Sequence, residues 1–143
     1  MDVTEDGSRI VTRPGREPHP LSGTVLTFDL AAEASALMLE PTWKATGHNA
    51  KTLIKYPDFR VVLIALRAGA RMEEHQTDHC VTVQVLGGRV RLHLPTTKAD
   101  LAPGTLLALD RTVSHDVEAL EDSVFLLSLG WSKGDAASPQ PAR

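Results

Sequence analysis

Between Asp58 and Trp131 the chain is a succession of short apolar runs cut by turn residues, and no other feature limits its fold as strongly. "HCVTVQVLGG" sets Val81, Val83 and Val85 against Thr82, Gln84 and Leu86, and "RVRLHLP" sets Val90, Leu92 and Leu94 against Arg89, Arg91 and His93. A period of two sends alternate side chains to opposite faces of a strand, so each run offers one face to a core. "DFRVVLIALRAG", "GTLLALD", "VSHDVEAL" and "SVFLLSLGW" read as four more strands, and Gly87-Gly88 reads as a hairpin turn. Short strands so closely spaced argue for an all-β sandwich or barrel.

The segment before them differs. "DLAAEASALMLEP" places Leu30, Ala34, Leu37 and Met38 at helical spacing, with Asp29 as a cap and Pro41 as a stop, so one short N-terminal helix is expected. "GTVLTFDL", from Gly23, reads as a first strand. Residues 1–20 carry Pro14, Gly15, Pro18 and Pro20 without periodicity and read as a flexible arm, and residues 132–143 read as a disordered tail. What remains, 21–131, is one domain; a chain of 143 residues with 42% hydrophobic content suits a single core.

Charge and motifs narrow the function. Fifteen Lys and Arg are scattered among 18 acidic residues for a net charge of -3, which gives no basic footprint for nucleic acid. No apolar window is long enough to span a bilayer, and the opening "MDVTEDGSRI" lacks the apolar run of a signal peptide. The single cysteine, Cys80, allows no internal disulfide, so the expected location is cytoplasmic. Neither a phosphate-binding glycine loop nor a G-x-S-x-G elbow is present, which disfavours nucleotide-binding and hydrolase readings.

"GARMEEHQTDHCVTVQVLGG" and "PGTLLALDRTVSHDVEA" together resemble the two motifs of the cupin superfamily, the RmlC-like jelly-roll barrels. Gly69, His75 and Gly88 match the first motif, and Gly104 and His115 the second; the resemblance covers about residues 58–130. It implies a single cupin jelly-roll barrel, a ligand site inside it and a homodimer. It departs at the metal ligands. The second histidine of the first motif falls on Thr77 and the glutamate on Val81, or on Thr82 with the longer spacer. In the second motif Asp110 and Thr112 stand where Pro and Gly are common, and Ala119 where Asn would be.

Of the four family ligands only His75 and His115 are in place, and two imidazoles leave most of a metal's positions to water. His79 is the candidate third ligand, with Glu73, Glu74 or Asp78 as oxygen donors. A site of His75, His79 and His115 would hold Zn, Mn, Fe or Ni; the alternative is that His75 and His115 are packed, hydrogen-bonded histidines in a barrel that uses no metal. The expected pocket comprises His75, Thr77, Val81, Gln84 and His115, with Gln84 facing either the ligand or solvent. The favoured function is small-molecule binding without catalysis, sensor-like, and the alternative is a metal-dependent oxygenase or isomerase of a small organic acid or carbonyl compound. Cys80 is expected to be a buried, inert thiol, the Arg89–Arg91–His93 stripe a solvated face, Trp43 an anchor for the N-terminal segment, and Trp131 a contact at a dimer or domain edge.

Overall fold

The alternating runs fold as two antiparallel sheets, one five-stranded and one four-stranded. The computed structural model describes residues 19–74 and 78–131, Glu74 by its backbone alone, together with two paired strands near the start, β1 (Asp2–Val3) and β2 (Arg9–Ile10). Two helices, α1 (Leu30–Leu39) and α2 (Pro41–Thr46), precede β3 (His48–Tyr56), β4 (Phe59–Leu66), β5 (Arg71–Glu74), β6 (Cys80–Gly87) and β7 (Val90–His93). The chain continues through β8 (Lys98–Leu101), β9 (Leu106–Leu109), β10 (His115–Ala119) and β11 (Ser123–Gly130). The large sheet runs β3-β4-β11-β6-β9 and the small one β5-β10-β7-β8. No described helix is long and apolar enough to cross a membrane.

Alternation decides what faces what. Val81, Val83 and Val85 of β6, Phe125 and Leu127 of β11, and Ile64 and Leu66 of β4 meet Val90, Leu92, Leu101, Val117 and Ala119 of the small sheet in one buried cluster. The opposite face of the large sheet supplies Leu53, Leu63, Ala65 and Val124 to a second cluster, which Leu37 of α1 and Trp43 of α2 close. Each such leucine, removed from water, contributes about 2 kcal/mol. The helices are therefore a lid on the outside of the barrel. Asn49 ties them down: it is 5% exposed, and its Nδ2 donates to the Leu37 carbonyl and to Glu40 Oε1, both at 2.9 Å. Trp43 is 8% exposed and lies under the Arg67 guanidinium, 5.4 Å from the ring centre, so it does anchor the N-terminal segment.

Several local expectations change. Asp29 caps α1 as expected, its Oδ1 accepting from the Ala32 amide at 3.1 Å, but Pro41 opens a second helix rather than only ending the first. Proline lacks the amide that the first turn of a helix leaves unpaired anyway, so this position suits it. The stretch from Gly23 to Phe28 forms no strand. Just before it the chain meets β3 through one main-chain bond among the described residues, Lys55 N–H to the Leu21 carbonyl at 2.6 Å, and Tyr56 Oη donates to the Gly23 carbonyl at 2.8 Å.

Gly87-Gly88 is not a hairpin turn. β6 pairs with β11 and β9, whereas β7 pairs with β10 and β8, so this joint carries the chain from one sheet to the other. Gly88 has φ +80°, and a Cβ there would lie 2.3 Å from both the Asp122 carbonyl oxygen and Ser123 Oγ, which only glycine avoids.

Candidate functional site

The site is best built from the end of the barrel where β5 stops and β6 begins. His115, first residue of β10, pairs in register with Glu74, last residue of β5. His115 shares its parity with the core residues Val117 and Ala119 and is itself only 3% exposed. Its Nδ1 lies 3.2 Å from the Val113 carbonyl. A carbonyl oxygen only accepts, so Nδ1 is the donor and Nε2 is the ring nitrogen that this bond leaves open.

On the large sheet the last inward-facing row is read from the register. Arg60 of β4 stands opposite Leu129 of β11, Leu129 opposite Val81 of β6, and Val81 opposite Leu109 of β9. Paired residues share a face. Val81, at the position of the motif's glutamate, is 2% exposed and packs in the barrel core. Two residues before it, His79 packs edge-on against Trp131, ring centres 4.6 Å apart at 82°. Trp131 also lies beneath Arg60, whose guanidinium carbon is 5.9 Å from the ring centre. Trp131, expected at a dimer or domain edge, is wedged between His79 and Arg60, because it continues the inward parity of Phe125, Leu127 and Leu129.

The expected pocket is partly regrouped. His75 and Thr77 lie outside the described residues, as does the side chain of Glu74. Gln84 alternates with Val83 and Val85 and so stands on the outer face, exposed to solvent and away from the barrel interior. Cys80, expected to be buried, is exposed, because it too sits on the outward parity of β6. Glu73 and Asp78 are exposed.

Arg60 is the residue that sequence reasoning missed. "DFRVVLIALRAG" was legible as a strand, and the available signal was a single charge two residues before Val62, on the inward parity of Ile64 and Leu66.

As a metal site the described residues fall short. Among them no group of three His, Cys, Asp or Glu side chains stands close enough to hold an ion. Val81 offers no donor where the motif calls for an oxygen. Nε2 of His115 has the character of a ligand nitrogen, with its partner nitrogen fixed by a carbonyl as metal-binding histidines usually have it. One such nitrogen is not a metal site.

The outer face of the small sheet bears charges of both signs. Arg91 makes two bonds to Asp100, at 2.7 and 3.0 Å, Arg71 pairs with Asp116 at 2.9 Å, and His93 Nε2 meets Glu118 Oε1 at 2.7 Å. The bond from His93, more than the nearby charges, holds the Glu118 carboxyl below the usual carboxylate range, and the bond from Arg91 does the same for Asp100. Arg89, Arg91 and His93 are therefore a paired surface ladder, as expected of a solvated face. A cavity of about 400 Å³ lies elsewhere, between α1 and the Gly87-Gly88 joint, lined by Leu30, Ala34, Met38, Leu86 and Val124 with Asp122 at its edge.

This arrangement of two sheets recurs in solved structures. KdgF from Halomonas sp. is 26% identical over 68% of this chain and 88% of its own, with a TM-score of 0.56. A cupin superfamily protein from Desulfitobacterium hafniense is 16% identical, covering 87% of this chain and 99% of its own, TM-score 0.63. The chain has the jelly-roll fold of the cupin superfamily. A variant of salicylate 1,2-dioxygenase from Pseudoaminobacter salicylatoxidans, in complex with gentisate, also superposes on this cupin; it is 17% identical over 82% of this chain but 38% of its own, TM-score 0.65. No family model matches the sequence, and no curated protein matches it. The motif glycines Gly69, Gly88 and Gly104 of this cupin all have positive φ, at 87°, 80° and 87°, so the resemblance at these positions reflects backbone geometry.

Proposed function

We propose that this cupin binds a small molecule at the end of its barrel marked by His115, without catalysis, as a sensor or carrier. The observation that carries this reading is Val81, which puts a buried methyl surface where a metal-binding cupin motif has its glutamate. Two residues before it His79 meets Trp131 edge-on, and an apolar floor with a few polar groups is the usual make-up of a ligand site. Its likeness to KdgF and to a gentisate-bound dioxygenase supports a small organic ligand. A homodimer belongs to the same reading, since β9 is an edge strand and Leu106 on it is 62% exposed. The single thiol fits a reducing, cytoplasmic setting.

A second reading, a metal-dependent oxygenase or isomerase using His75, His115 and His79, draws its support from the carbonyl-fixed ring of His115. Metal content of tag-free protein separates the two. The binding reading expects no stoichiometric metal after reconstitution with Zn, Mn, Fe or Ni, and ligand-induced NMR shifts at His115. Stoichiometric metal that is lost in both His75→Ala and His115→Ala would replace it with the enzyme.

A further inference from the structure

Every arginine side chain the structure describes is bonded to an oxygen or charge partner, with one exception. Arg67 donates to the Trp43 and Lys44 carbonyls, Arg71 and Arg91 pair with aspartates, Arg89 lies 4.0 Å from Glu121, and Arg111 is engaged as well. Arg60 makes no hydrogen bond or ion pair among the described residues; its Nε is buried without an acceptor, and its one contact of note is with Trp131. A guanidinium cannot shed its proton, so a donor left in this state is costly unless something supplies an acceptor.

The register adds a second anomaly. Lys55 stands directly opposite Arg60 across β3 and β4, and it too has no acidic partner among the described residues. Like charges opposite each other on paired strands repel. The bulge at Leu53 creates the pair: before it, Asn49 and Lys51 face the helices, and after it the parity is reversed, so that Lys55, whose side chain is exposed, shares the register face of Arg60. The rest of that row is Leu129, Val81 and Leu109. Two cations at one end of a row of aliphatic side chains, with an indole under one of them, match a molecule that is an anion at one end and apolar along its body.

We infer that Arg60, supported by Lys55 and seated over Trp131, is the anchor for the carboxylate of a small apolar acid that lies along Leu129 and Val81. The fork of a guanidinium fits a carboxylate through two parallel bonds, and the indole beneath holds the fork in place by cation–π attraction. The inference rests on the reading of the barrel end as a ligand site and names the class of ligand that site takes.

Hexanoate and benzoate serve as probes, with hexanamide and benzamide as neutral isosteres, titrated by calorimetry and by ¹⁵N NMR of the Arg60 Nε–H up to about 10 mM. The inference expects the acids to bind and shift the Arg60 signal while the amides do not. Arg60→Gln should weaken acid binding at least about tenfold, as loss of charge-assisted bonds does, Lys55→Gln should weaken it less, and Arg60→Lys should keep part of it. Arg60→Lys also tests the charge should the Gln variant fail to fold. Acids and amides that bind alike, acid binding unchanged in Arg60→Gln, or no acid binding at all would each overturn the inference.

Val81→Phe separates it from the reading beneath it. If acids and amides bind equally and both are lost in Val81→Phe, the barrel site stands and the role of Arg60 falls. If acids still need Arg60 but ignore Val81→Phe, the carboxylate contact stands while the barrel reading fails, and the part of the inference that lays the acid along Val81 is overturned.

Discussion

Ser123 Oγ accepts a hydrogen bond from the Arg89 amide at 3.0 Å and thereby fastens the start of β11 to the joint where the chain changes sheets. The hydroxyl is fully buried, with the Glu121 and Arg89 carbonyls at 2.7 and 3.1 Å as acceptors for its own proton. Gly88, one residue before Arg89, sits against both Ser123 and the Asp122 carbonyl. Gly88→Ala must therefore displace backbone as well as strain φ, and about 3 kcal/mol or more of stability should be lost. Ser123→Ala leaves the Arg89 amide without its acceptor at a cost of about 1–3 kcal/mol. Urea unfolding of both variants measures the two losses, and a Gly88→Ala protein as stable as wild type would contradict the crowding.

Asn49 couples the helices to the barrel by satisfying the Leu37 carbonyl at the end of α1. Asn49→Asp removes the donor and sets a carboxylate against that carbonyl and Glu40 Oε1, which accept and cannot donate. A loss of about 2–4 kcal/mol at neutral pH is expected, recovered in part at acidic pH where the new carboxyl is protonated. Thermal melts across pH check it; Asn49→Leu, without the charge, should lack the acid recovery.

Glu118 and Asp100 have folded-state pKa values below their ordinary ones, through His93 and Arg91 respectively. A carboxylate depressed in this way stabilises the fold above its unfolded pKa, and that stability is lost as pH falls through the folded value. Melting temperature should therefore decline on acidification through and below the usual carboxylate range, and less steeply in Glu118→Gln and Asp100→Asn. Both groups sit on a solvated face, so the slopes should also flatten at high salt.

His115 was singled out by the resemblance to a family motif, and the inward valines were legible because alternation is a local property of the sequence. Sheet membership is not. Gly87-Gly88 has the local signature of a hairpin, yet whether two successive strands pair depends on β11 and β10, some thirty residues on, each of which claims one of them. β3 showed only as a β character from Lys51 onward because the bulge at Leu53 breaks its alternation, and β5 and β8, "RMEE" and "KADL", were missed because short charged strands on sheet edges carry little apolar signal. "GTVLTFDL" misled in the other direction, since its strand-like composition finds no partner strand among the described residues. Arg60 was hidden for a related reason: a single charge in a strand becomes informative only when its face is known.

Val81 offers a direct test of whether a carboxylate at this position completes a metal site. Val81→Glu would restore the motif's carboxylate in a position that is 2% exposed, facing the buried cluster of Val83 and Val117. A carboxyl placed there without a partner should cost about 3 kcal/mol or more, with its pKa driven upward by burial. If the motif alignment of His75 and His115 is sound, Zn²⁺ or Mn²⁺ supplies the missing partner, and the melting temperature of the variant should rise with added metal while that of the wild type stays fixed. The rise should vanish when His115→Ala is added. A variant that metal does not rescue would mean that the two histidines are not aimed at a common point, and that the loss of ligands is deeper than one side chain.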